Sequence, residues 1–470
     1  METMVGKSSA MGDDEGPIDT TVATYLSRLA QRCMGDALPD SVMHAASRCV
    51  IDWFAATLPG ADGEPARALE IALADELGSG QARTLSGLQA PARTAALINA
   101  TASHTVELDD IYAPAIYHPG SPTIAAALAE GQTQRSSGER FLRAVIAGYE
   151  VSTRIGEALG PAHYRYWHTT GTVGTFGAAT AAGVLRGLNE AHLARALNVA
   201  ATLASGLQQA FRGRSQIKPL HAGHAADAGL IAAGYAAAGI DAAPCMFEGP
   251  VGLGAAMGHE TSWDTLLAEP WSRFAIEHIT IKNHACCGHI FAALDGVMAL
   301  QTAHAIAPDA IEHIAIGGYR ATFEVTGAAD VSSAAAAKFS LPFVVASGLV
   351  HGAIRLDAFS DERLADPRVA ALMPRISVEI DPEVDRAFPH QRAARCTITM
   401  RDGRTFERFQ PARIGDPALP LSDDALDAKF IELAGPVLKA PDAQALLRTL
   451  KALQGAPDLD ALAEITTRTG

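Results

Sequence analysis

The stretch GTVGTFGAATAAG, which runs from Gly171 to Gly183, decides the class of fold that this chain adopts. Its glycines have neither the dinucleotide-binding spacing nor the P-loop spacing, and no strand rich in β-branched residues precedes it. Small side chains let a helix approach its neighbours, because the distance between helix axes depends on the side chains at the contact. The stretch therefore predicts a helix packed among other helices.

The sequence on both sides of this stretch, from about residue 19 to residue 264, has helical periodicity. Two sets of residues each fall on one helix face: Val22, Tyr25, Leu26 and Leu29, and Ala45, Cys49, Trp53 and Ala56. Ser121 and Pro122 predict the N-cap and first turn of a helix that ends at Gly131. The apolar run from Ala225 to Ala243 contains two aspartates, so it predicts a buried packing helix and not a membrane span.

The pattern changes near Trp271, where alternating apolar and polar residues predict strands. The predicted strands are 274–281, 311–316, 376–380 and a hairpin of 396–400 with 405–409, which has Asp402 and Gly403 at its turn. Helices are predicted over 290–303, 339–352, 423–434 and 442–453.

These patterns predict a mainly α protein with a large all-helical domain and a smaller α+β lid domain. The predicted parts are a disordered leader over residues 1–16, the first part of the helical domain over 17–264, the lid domain over 265–410, and C-terminal helices over 411–470 that pack on the helical domain.

Composition and charge restrict the function. The formal net charge is −15, whereas nucleic acids and anionic membranes bind proteins with clustered lysine and arginine. We therefore expect no nucleic-acid partner and no membrane partner. The absence of a basic segment followed by an apolar one near residue 1 predicts a cytoplasmic protein. The six cysteines show no Cys-x-x-Cys spacing, so we expect no disulfide framework, no metal and no other cofactor.

The sequence HTVELDD, from His104 to Asp110, combines three carboxylates with an imidazole, and HPGSPT begins soon after it at His118. So many ionisable groups are costly to bury unless they are paired. A metal site or a general-base site is the functional interpretation. A solvated loop before a capped helix is the simpler interpretation of this stretch alone.

Three further stretches have the same character: YRYWHTTG (164–171), RGRSQIKPLHAGH (212–224) and KNHACCGH (282–289). They add the candidates His168, Arg212, Lys218, His221, Lys282, Cys287 and His289. A helix start after His168 would offer free N–H groups to an anion. The simpler interpretations are a structural histidine, a solvated basic loop and a core cysteine pair, and a metal site at Cys287 with His284 or His289 is a further alternative.

Acids, imidazoles and lysines without a cofactor motif favour proton abstraction from a carbon next to a carboxylate. Such a carbon acid ionises when cationic groups stabilise the enolate-like intermediate as it forms. Lysine and protonated histidine supply that charge.

These motifs resemble those of the MmgE/PrpD family, which includes 2-methylcitrate dehydratases, cis-aconitate decarboxylases and an iminodisuccinate epimerase. The similarity runs from about Thr20 to Leu450. The segments that carry it are Glu107-Leu-Asp109-Asp110 with His118-Pro-Gly, Gly148-Tyr-Glu150, Trp167-His168 with Gly171-Thr172, Lys218-Pro-Leu-His221-Ala-Gly, Glu248-Gly-Pro250, Lys282 with Cys286-Cys287, and Lys338-Phe-Ser-Leu-Pro342-Phe.

The resemblance implies a homodimer with an active site in the cleft between the helical domain and the lid, and no metal or iron-sulfur cluster. The catalytic residues that it implies are Asp109, Asp110, His118, His168, Lys218 and the lid tyrosine Tyr319. The substrate-binding candidates are Glu107, Arg212, His221, Lys282, Cys287 and His289. Cys287 stands where decarboxylases of the family carry a histidine.

Two departures from the family pattern Asp-x-Asp-Asp-Thr bear on the substrate. Glu107 replaces the first aspartate and Ile111 replaces the threonine, and one extra residue separates the acidic pair from His118. Isoleucine cannot donate the hydrogen bond that a threonine hydroxyl offers, and the longer glutamate changes the shape of the pocket. These departures count against 2-methylcitrate itself.

We expect a cofactor-independent lyase that removes a proton α to a carboxylate of a small di- or tricarboxylate, with dehydration of a 2-methylcitrate-like substrate as the first reaction. Lys218, His118 and Arg212 would neutralise carboxylates, and His168 or Asp109 would remove the proton. The alternatives are an epimerase or isomerase, a decarboxylase of the cis-aconitate type, an inactive carboxylate-binding protein and a purely structural helical scaffold.

Overall fold

The computed structural model describes residues 21–211, 215–329 and 331–462. Arg212 and the leader predicted over residues 1–16 lie outside the described residues. Within these ranges the protein is mainly α with a smaller α+β region, as the sequence predicts.

The helices of the N-terminal region pack around one central helix. They are α1 (Val22–Gly35), α2 (Asp40–Ala61), α3 (Glu64–Ala72), α4 (Ala92–Ser103), α5 (Gly120–Thr133), α6 (Gly138–Leu159), α7 (Thr169–Thr172), α8 (Gly174–Leu185), α9 (Glu190–Leu203) and α10 (Ile217–Ala237). Helix α8 is buried along its whole length and contacts α5, α6, α9 and α10. Gly177 permits this packing, because a Cβ atom there would lie 2.4 Å from Thr123 Oγ1. The glycine-rich stretch thus forms the centre of a helical domain.

Short strands and 3-10 helices connect these elements. The strands β1 (Ala82–Arg83) and β2 (Gln89–Ala90) pair antiparallel. The 3-10 helices of the described residues are Ala113–Ala115, His163–Arg165, Gln208–Phe211, Ala275–His278, Pro308–Ala310, Leu356–Phe359, Met373–Arg375 and Leu453–Gly455.

The middle of the chain forms the α+β region. The short helices α11 (Leu253–Met257) and α12 (Trp263–Leu267) precede it, and α12 contacts α1 and α6. The helices of the region are α13 (Phe291–His304), α14 (Arg320–Thr326), α15 (Ala334–Ala337), α16 (Leu341–His351), α17 (Asp361–Leu364), α18 (Pro367–Leu372) and α19 (Pro382–Ala387). Its strands are β3 (Ile311–Gly318), β4 (Ile376–Ile380), β5 (Ala394–Met400) and β6 (Thr405–Gln410). They form one sheet in the order β4-β3-β5-β6, in which only the β3–β4 pair is parallel. Helix α13 covers β5 and β6, and α16 packs on α13.

The last helices return to the N-terminal region. Helices α20 (Asp423–Ala434) and α21 (Ala440–Lys451) both pack against α2. Leu426, Phe430 and Leu433 of α20 are buried in this contact region. Among the described residues, no helix combines the length and apolar character that crossing a membrane requires.

The strand predicted over residues 274–281 is wrong. Ala275–His278 is a 3-10 helix, and Thr280 alone forms a bridge, with Ile111. The reason is tertiary: the backbone N–H of Ile276 donates to a carboxylate oxygen of the buried Glu150 at 3.2 Å instead of to a neighbouring strand.

The predicted ends of helix α5 are also wrong. Pro119 precedes its first residue, and the hydroxyl of Ser121 donates to Asp109 Oδ2 at 3.0 Å instead of capping the helix. The helix continues past Gly131 to Thr133. Gly131 is a site of close packing, because a Cβ atom there would lie 2.8 Å from Leu459 Cδ1.

Candidate active site

The acidic stretch forms the turn between helices α4 and α5. Helix α4 ends at Ser103, and His104 is its C-terminal cap. Glu107 has φ +62°, in the left-handed region that non-glycine residues rarely adopt. Its carboxylate contacts lysines contributed by two distant parts of the chain. The turn therefore places acidic groups where the helical domain meets the segment that leads into the lid.

Asp109 is the centre of the hydrogen-bond network. Its Oδ2 lies 2.6 Å from His104 Nδ1, 3.2 Å from His118 Nδ1 and 3.0 Å from the hydroxyl of Ser121. Its Oδ1 lies 3.4 Å from Lys282 Nζ. Burial by itself raises the pKa of this carboxyl, but the charges of His118, His104 and Lys282 together hold it well below its usual range. Asp109 is therefore a carboxylate that orients two imidazoles.

Asp110 faces a different environment. Its Oδ2 accepts a hydrogen bond from the hydroxyl of Tyr149 at 2.7 Å, and its Oδ1 accepts one from the backbone N–H of Gly120 at 3.0 Å. A Cβ atom at Gly120 would lie 2.9 Å from that oxygen, so the contact requires glycine. Burial raises the pKa of Asp110 to about 7. Its backbone oxygen lies 2.7 Å from His118 Nδ1, which makes Asp110 a positioning residue.

Four imidazoles lie next to one another in the site. The ring centre of His104 is 4.9 Å from that of His118 and 5.4 Å from that of His168. The Nδ1 atoms of His168 and His221 are 3.0 Å apart. Burial lowers the pKa of His104 to about 4. Burial and the nearby charges of His104 and Lys218 also lower the pKa of His168, so its ring is neutral near pH 7.

Two lysines converge on Glu107. Lys218, in the first turn of α10, forms an ion pair with Glu107. Lys282 Nζ lies 3.1 Å from the backbone oxygen of Glu107 and 3.7 Å from its Oε2. Although burial opposes both shifts, the ion pair lowers the pKa of Glu107 and raises that of Lys218, so both groups are charged. Lys338 is partly buried, and burial together with the nearby charges of Lys282 and Lys218 lowers its pKa.

The lid contributes a second pair of side chains. The hydroxyl of Tyr319 lies 2.8 Å from His289 Nδ1, and the ring of Phe388 stacks on Tyr319 with centres 4.3 Å apart. The backbone N–H of Cys287 donates to Lys338 O at 2.9 Å, which ties this segment to the lysine cluster. Burial raises the pKa of the Cys287 thiol, so the thiol is neutral.

The structure gathers most of the candidates found in the sequence. Those that share contacts in one cluster are Glu107, Asp109, Asp110, His118, His168, Lys218, His221 and Lys282. Tyr319 and His289 form a separate pair, and Cys287 lies between that pair and the lysines. Arg212 is outside the described residues.

Three groups at the site were not among the site residues predicted from the sequence: the buried His104 and Lys429, and the partly buried Lys338. The imidazole of His104 belongs to the acidic stretch that the sequence singles out, but no role was predicted for it. Lys338 belongs to a motif that the resemblance already includes. Lys429 has no local signal, since it lies in an amphipathic C-terminal helix far along the chain.

Lys429 contacts three separate parts of the chain at the site. Its Nζ lies 2.5 Å from Asp52 Oδ1, 2.7 Å from Lys282 O and 3.3 Å from Leu108 O. The side chain is fully buried. One ammonium group therefore connects α2, the acidic turn and the segment that carries Lys282.

One group of described residues has the composition of a metal site. Ligand atoms of His104, Asp109 and His118 lie within 4.8 Å of one another, and imidazole with carboxylate suits several transition metals. The Nδ1 atoms of His104 and His118 lie 2.6 Å and 3.2 Å from the same oxygen, Asp109 Oδ2. These are hydrogen-bonding distances, so the three groups contact one another directly. The alternative metal ligand His284 instead lies 2.9 Å from Asp295 Oδ1.

Comparison with known proteins identifies two family domains in the chain. The MmgE/PrpD N-terminal domain matches residues 24–266, and the MmgE/PrpD C-terminal domain matches residues 284–454. The chain is 27% identical to cis-aconitate decarboxylase of Homo sapiens over 391 residues, covering 80% of this chain and 79% of that protein. It is 25% identical to cis-aconitate decarboxylase of Aspergillus terreus (strain NIH 2624 / FGSC A1156) over an alignment of 502 residues that covers 98% of each chain.

A further relative is the cis-aconitate decarboxylase-like protein oryM of Aspergillus oryzae, which is 26% identical over 401 residues, covering 79% of this chain and 81% of that protein. The two domain matches together span most of the sequence and both structural regions. This chain is a member of the MmgE/PrpD family.

Proposed function

We propose that this protein is a cofactor-independent lyase that forms a carbanion-like intermediate next to a carboxylate of a small di- or tricarboxylate. The observation that carries the proposal is the convergence of Lys218 and Lys282 on Glu107, beside a cluster of imidazoles. Lysines bind carboxylates and stabilise negative charge as it develops on the substrate. Membership of an enzyme family supports catalysis over carboxylate binding alone.

His168 is the group to which we assign proton transfer. A general base needs a free electron pair at the working pH, and a buried imidazole with a lowered pKa retains one near pH 7. Asp109 is a weaker base, because four donors surround its carboxylate and hold its pKa well below its usual range. We therefore assign to Asp109 the positioning of His104 and His118.

The lysines are the groups to which we assign substrate binding. A substrate carboxylate would compete with Glu107 for Lys218, whose side chain is partly exposed, while the buried Lys282 stays fixed to the acidic turn. His118 would act as a second donor at the same carboxylate. The role of Arg212 stays a prediction from the sequence.

Decarboxylation of a cis-aconitate-like tricarboxylate is the first candidate reaction, since the relatives include proteins named for that activity. In this reaction the C–C bond to one carboxylate breaks, CO2 leaves, and the carbon that keeps the electron pair takes up one proton, which comes from solvent by way of the imidazole cluster. Dehydration of a 2-methylcitrate-like substrate is the second candidate. Cys287 favours it, because burial raises the pKa of the thiol and makes it a weaker acid than the protonated histidine that family decarboxylases carry at this position.

The experiment that tests the proposal follows substrates by proton NMR in D2O. Purified protein is incubated separately with cis-aconitate, 2-methylcitrate, citrate and an amino-dicarboxylate. Loss of CO2 with deuterium incorporation supports decarboxylation, elimination of water supports dehydration, and exchange without net conversion supports epimerisation. A thermal shift without any exchange would contradict the proposal and favour an inactive binding protein.

Two further expectations stay proposals. We propose a homodimer, which light scattering of the purified protein would measure, and a cytoplasmic location, which cell fractionation would measure.

A further inference from the structure

A cavity of about 710 Å³ lies between the helical domain and the lid. Its polar lining includes Tyr112, Arg273, Thr280, Arg392, Arg408 and Arg413. Among the described residues that line it, Asp416 supplies the single carboxylate. Four arginines around one cavity concentrate positive charge in a protein whose net charge is −15.

Two of these arginines have carboxylate partners. Arg413 forms a bidentate pair with Asp416, with Nε to Oδ2 at 2.9 Å and Nη2 to Oδ1 at 2.6 Å. Arg273 forms ion pairs with Glu157 and Glu269. Their charges are therefore neutralised within the protein.

Arg392 has no such partner. Within residues 21–211, 215–329 and 331–462 no carboxylate forms an ion pair with it, and its buried Nε has no hydrogen-bond partner. Its guanidinium lies 5.7 Å from the ring centre of Phe388. Burial and the neighbouring charge of Arg413 lower the pKa of Arg392. Arg392 is partly buried and its Nε is fully buried, and a guanidinium in that position without an ion-pair partner is unfavourable, so this position is suited to an external anion.

We propose that this cavity is a second binding site, which takes a small oxyanion, a carboxylate or a phosphate, on the guanidinium of Arg392. The planar guanidinium presents N–H donors in a fork that matches two oxygens of either anion. The exposed Arg408 adds positive charge, because the described contact of its Nε is to the neutral Gln410 at 2.9 Å. A volume of about 710 Å³ is within the usual range for small-molecule sites.

The cavity borders the lid side of the candidate active site, since Arg392 lies over Phe388, whose ring stacks on Tyr319. Tyr112 follows Ile111 in the chain, and Arg413 Nη1 lies 3.5 Å from Gly288 O, beside Cys287. The lining does not include Glu107 or Lys218 among the described residues. The inference therefore extends beyond the proposed lyase activity and does not depend on it.

Isothermal titration calorimetry of the full-length protein in chloride buffer tests the proposal, with inorganic phosphate and succinate as separate probes. We expect saturable binding of at least one probe, and the comparison between them shows which oxyanion the site prefers. Arg392→Gln should weaken this binding at least tenfold. Arg404→Gln is the matched control, because it removes the same charge from the hairpin at a position outside the cavity lining.

Lys218→Ala separates the two sites, since binding in the arginine cavity should persist in that variant. Absence of saturable binding by the unmodified protein, unchanged binding by Arg392→Gln, or loss of all binding in Lys218→Ala would each overturn the proposal. If circular dichroism shows that Arg392→Gln is unfolded, Arg392→Lys decides. That variant keeps the charge but loses the fork, so several-fold weaker binding supports the site and equal binding contradicts it.

Discussion

Asp109 and Asp110 are adjacent in the sequence, yet their carboxyl groups respond to opposite environments. Cationic partners hold the pKa of Asp109 well below its usual range, whereas burial raises that of Asp110 to about 7. The difference arises because Asp109 faces the imidazoles and Lys282, while Asp110 faces Tyr149 and a backbone N–H. One of the two is a fixed charge and the other can exchange a proton near neutral pH.

Replacing Asp110 with asparagine should change how stability depends on pH. A carboxyl whose pKa rises from 3.8 to about 7 on folding stabilises the folded state fully below pH 3.8, and this contribution disappears as pH rises through 7. The free energy of unfolding of the unmodified protein, relative to that of Asp110→Asn, should therefore fall by about 2–3 kcal/mol between pH 5 and pH 8. Urea denaturation at both pH values measures it.

The exposed Asp424→Asn is the control for this experiment, and its stability relative to the unmodified protein should change little with pH. An equal pH dependence in the unmodified protein and in Asp110→Asn would refute the assignment of the raised pKa to Asp110.

Lys218→Ala should lower kcat/KM by at least about 10²- to 10³-fold, the usual effect of removing one charge-stabilising group. The side chain is partly exposed at the end of its ion pair with Glu107, so the fold should survive. Steady-state kinetics and a thermal melt measure the two quantities. Lys451→Ala, which breaks an exposed ion pair with Asp427, should leave both unchanged. Full activity in Lys218→Ala would remove Lys218 from the site.

Dialysis against a chelator should leave the turnover rate unchanged. The potential ligand atoms of His104, Asp109 and His118 are within hydrogen-bonding distance of one another, so the site is held together by its own donors and acceptors. Turnover before and after dialysis, together with elemental analysis, checks this expectation. Activity that is lost on dialysis and restored by Zn²⁺ would show that the group holds a metal.

Helix α20 has a role in the site that its sequence does not reveal. Its Lys429 bonds to Asp52 of α2 and to backbone oxygens of Leu108 and Lys282, which flank or belong to the catalytic segments. The helix therefore fixes the distance between the acidic turn and the segment that carries Lys282. Lys429 acts through these residues and is a positioning residue.

Lys429→Met should lower kcat by about 10²-fold, because a displacement of roughly 1 Å in a catalytic group has an effect of that size. It should also reduce the free energy of unfolding by about 3–5 kcal/mol, because Asp52 is left as an unpaired buried charge. The double variant Asp52→Asn, Lys429→Met should recover much of the stability but not the activity. Denaturation and steady-state kinetics on both variants measure this separation.

The exposed Lys439→Met serves as the control for Lys429→Met and should match the unmodified protein. Recovery of full activity in the double variant would show that Lys429 contributes to stability alone.

Elements with strong local patterns were predicted well from the sequence. The hairpin of β5 and β6, with Gly403 at φ +87° in its turn, and the strands β3 and β4 were found where alternation predicted them. The segment 274–281 has the same alternation, but Ala275–His278 within it forms a 3-10 helix, because the backbone N–H of Ile276 donates to the Glu150 carboxylate of α6. Local pattern cannot show such a partner, which lies more than a hundred residues away.

At the scale of the whole molecule, the two ends of the chain complete one domain. Helix α20 packs on α2, and Gly138 in α6 donates its backbone N–H to Ala456 O at 2.9 Å. The α+β region therefore lies in the chain between two sets of helices that pack on each other.

Truncation after residue 410 should prevent native packing of the remaining chain. It removes the buried apolar face of α20 and leaves Asp52 without its cation. We expect retained helical far-UV circular dichroism with loss of the near-UV signal and of a cooperative thermal transition. A cooperative melt like that of the full chain would show that the C-terminal helices are not needed for the fold.

The sequence by itself determined the fold class, most of the helices and strands, the family, and most of the residues that meet in the site. These follow from periodicity and motif spacing, which are properties of neighbouring residues. Only the tertiary structure decided that the Ser121 hydroxyl donates to Asp109 instead of capping a helix, and that Glu107 contacts two lysines. It also decided that Lys429 donates to the backbone oxygen of one of them, Lys282. Those contacts arise when distant segments pack together, and burial and charge at the contact then set the protonation of each group.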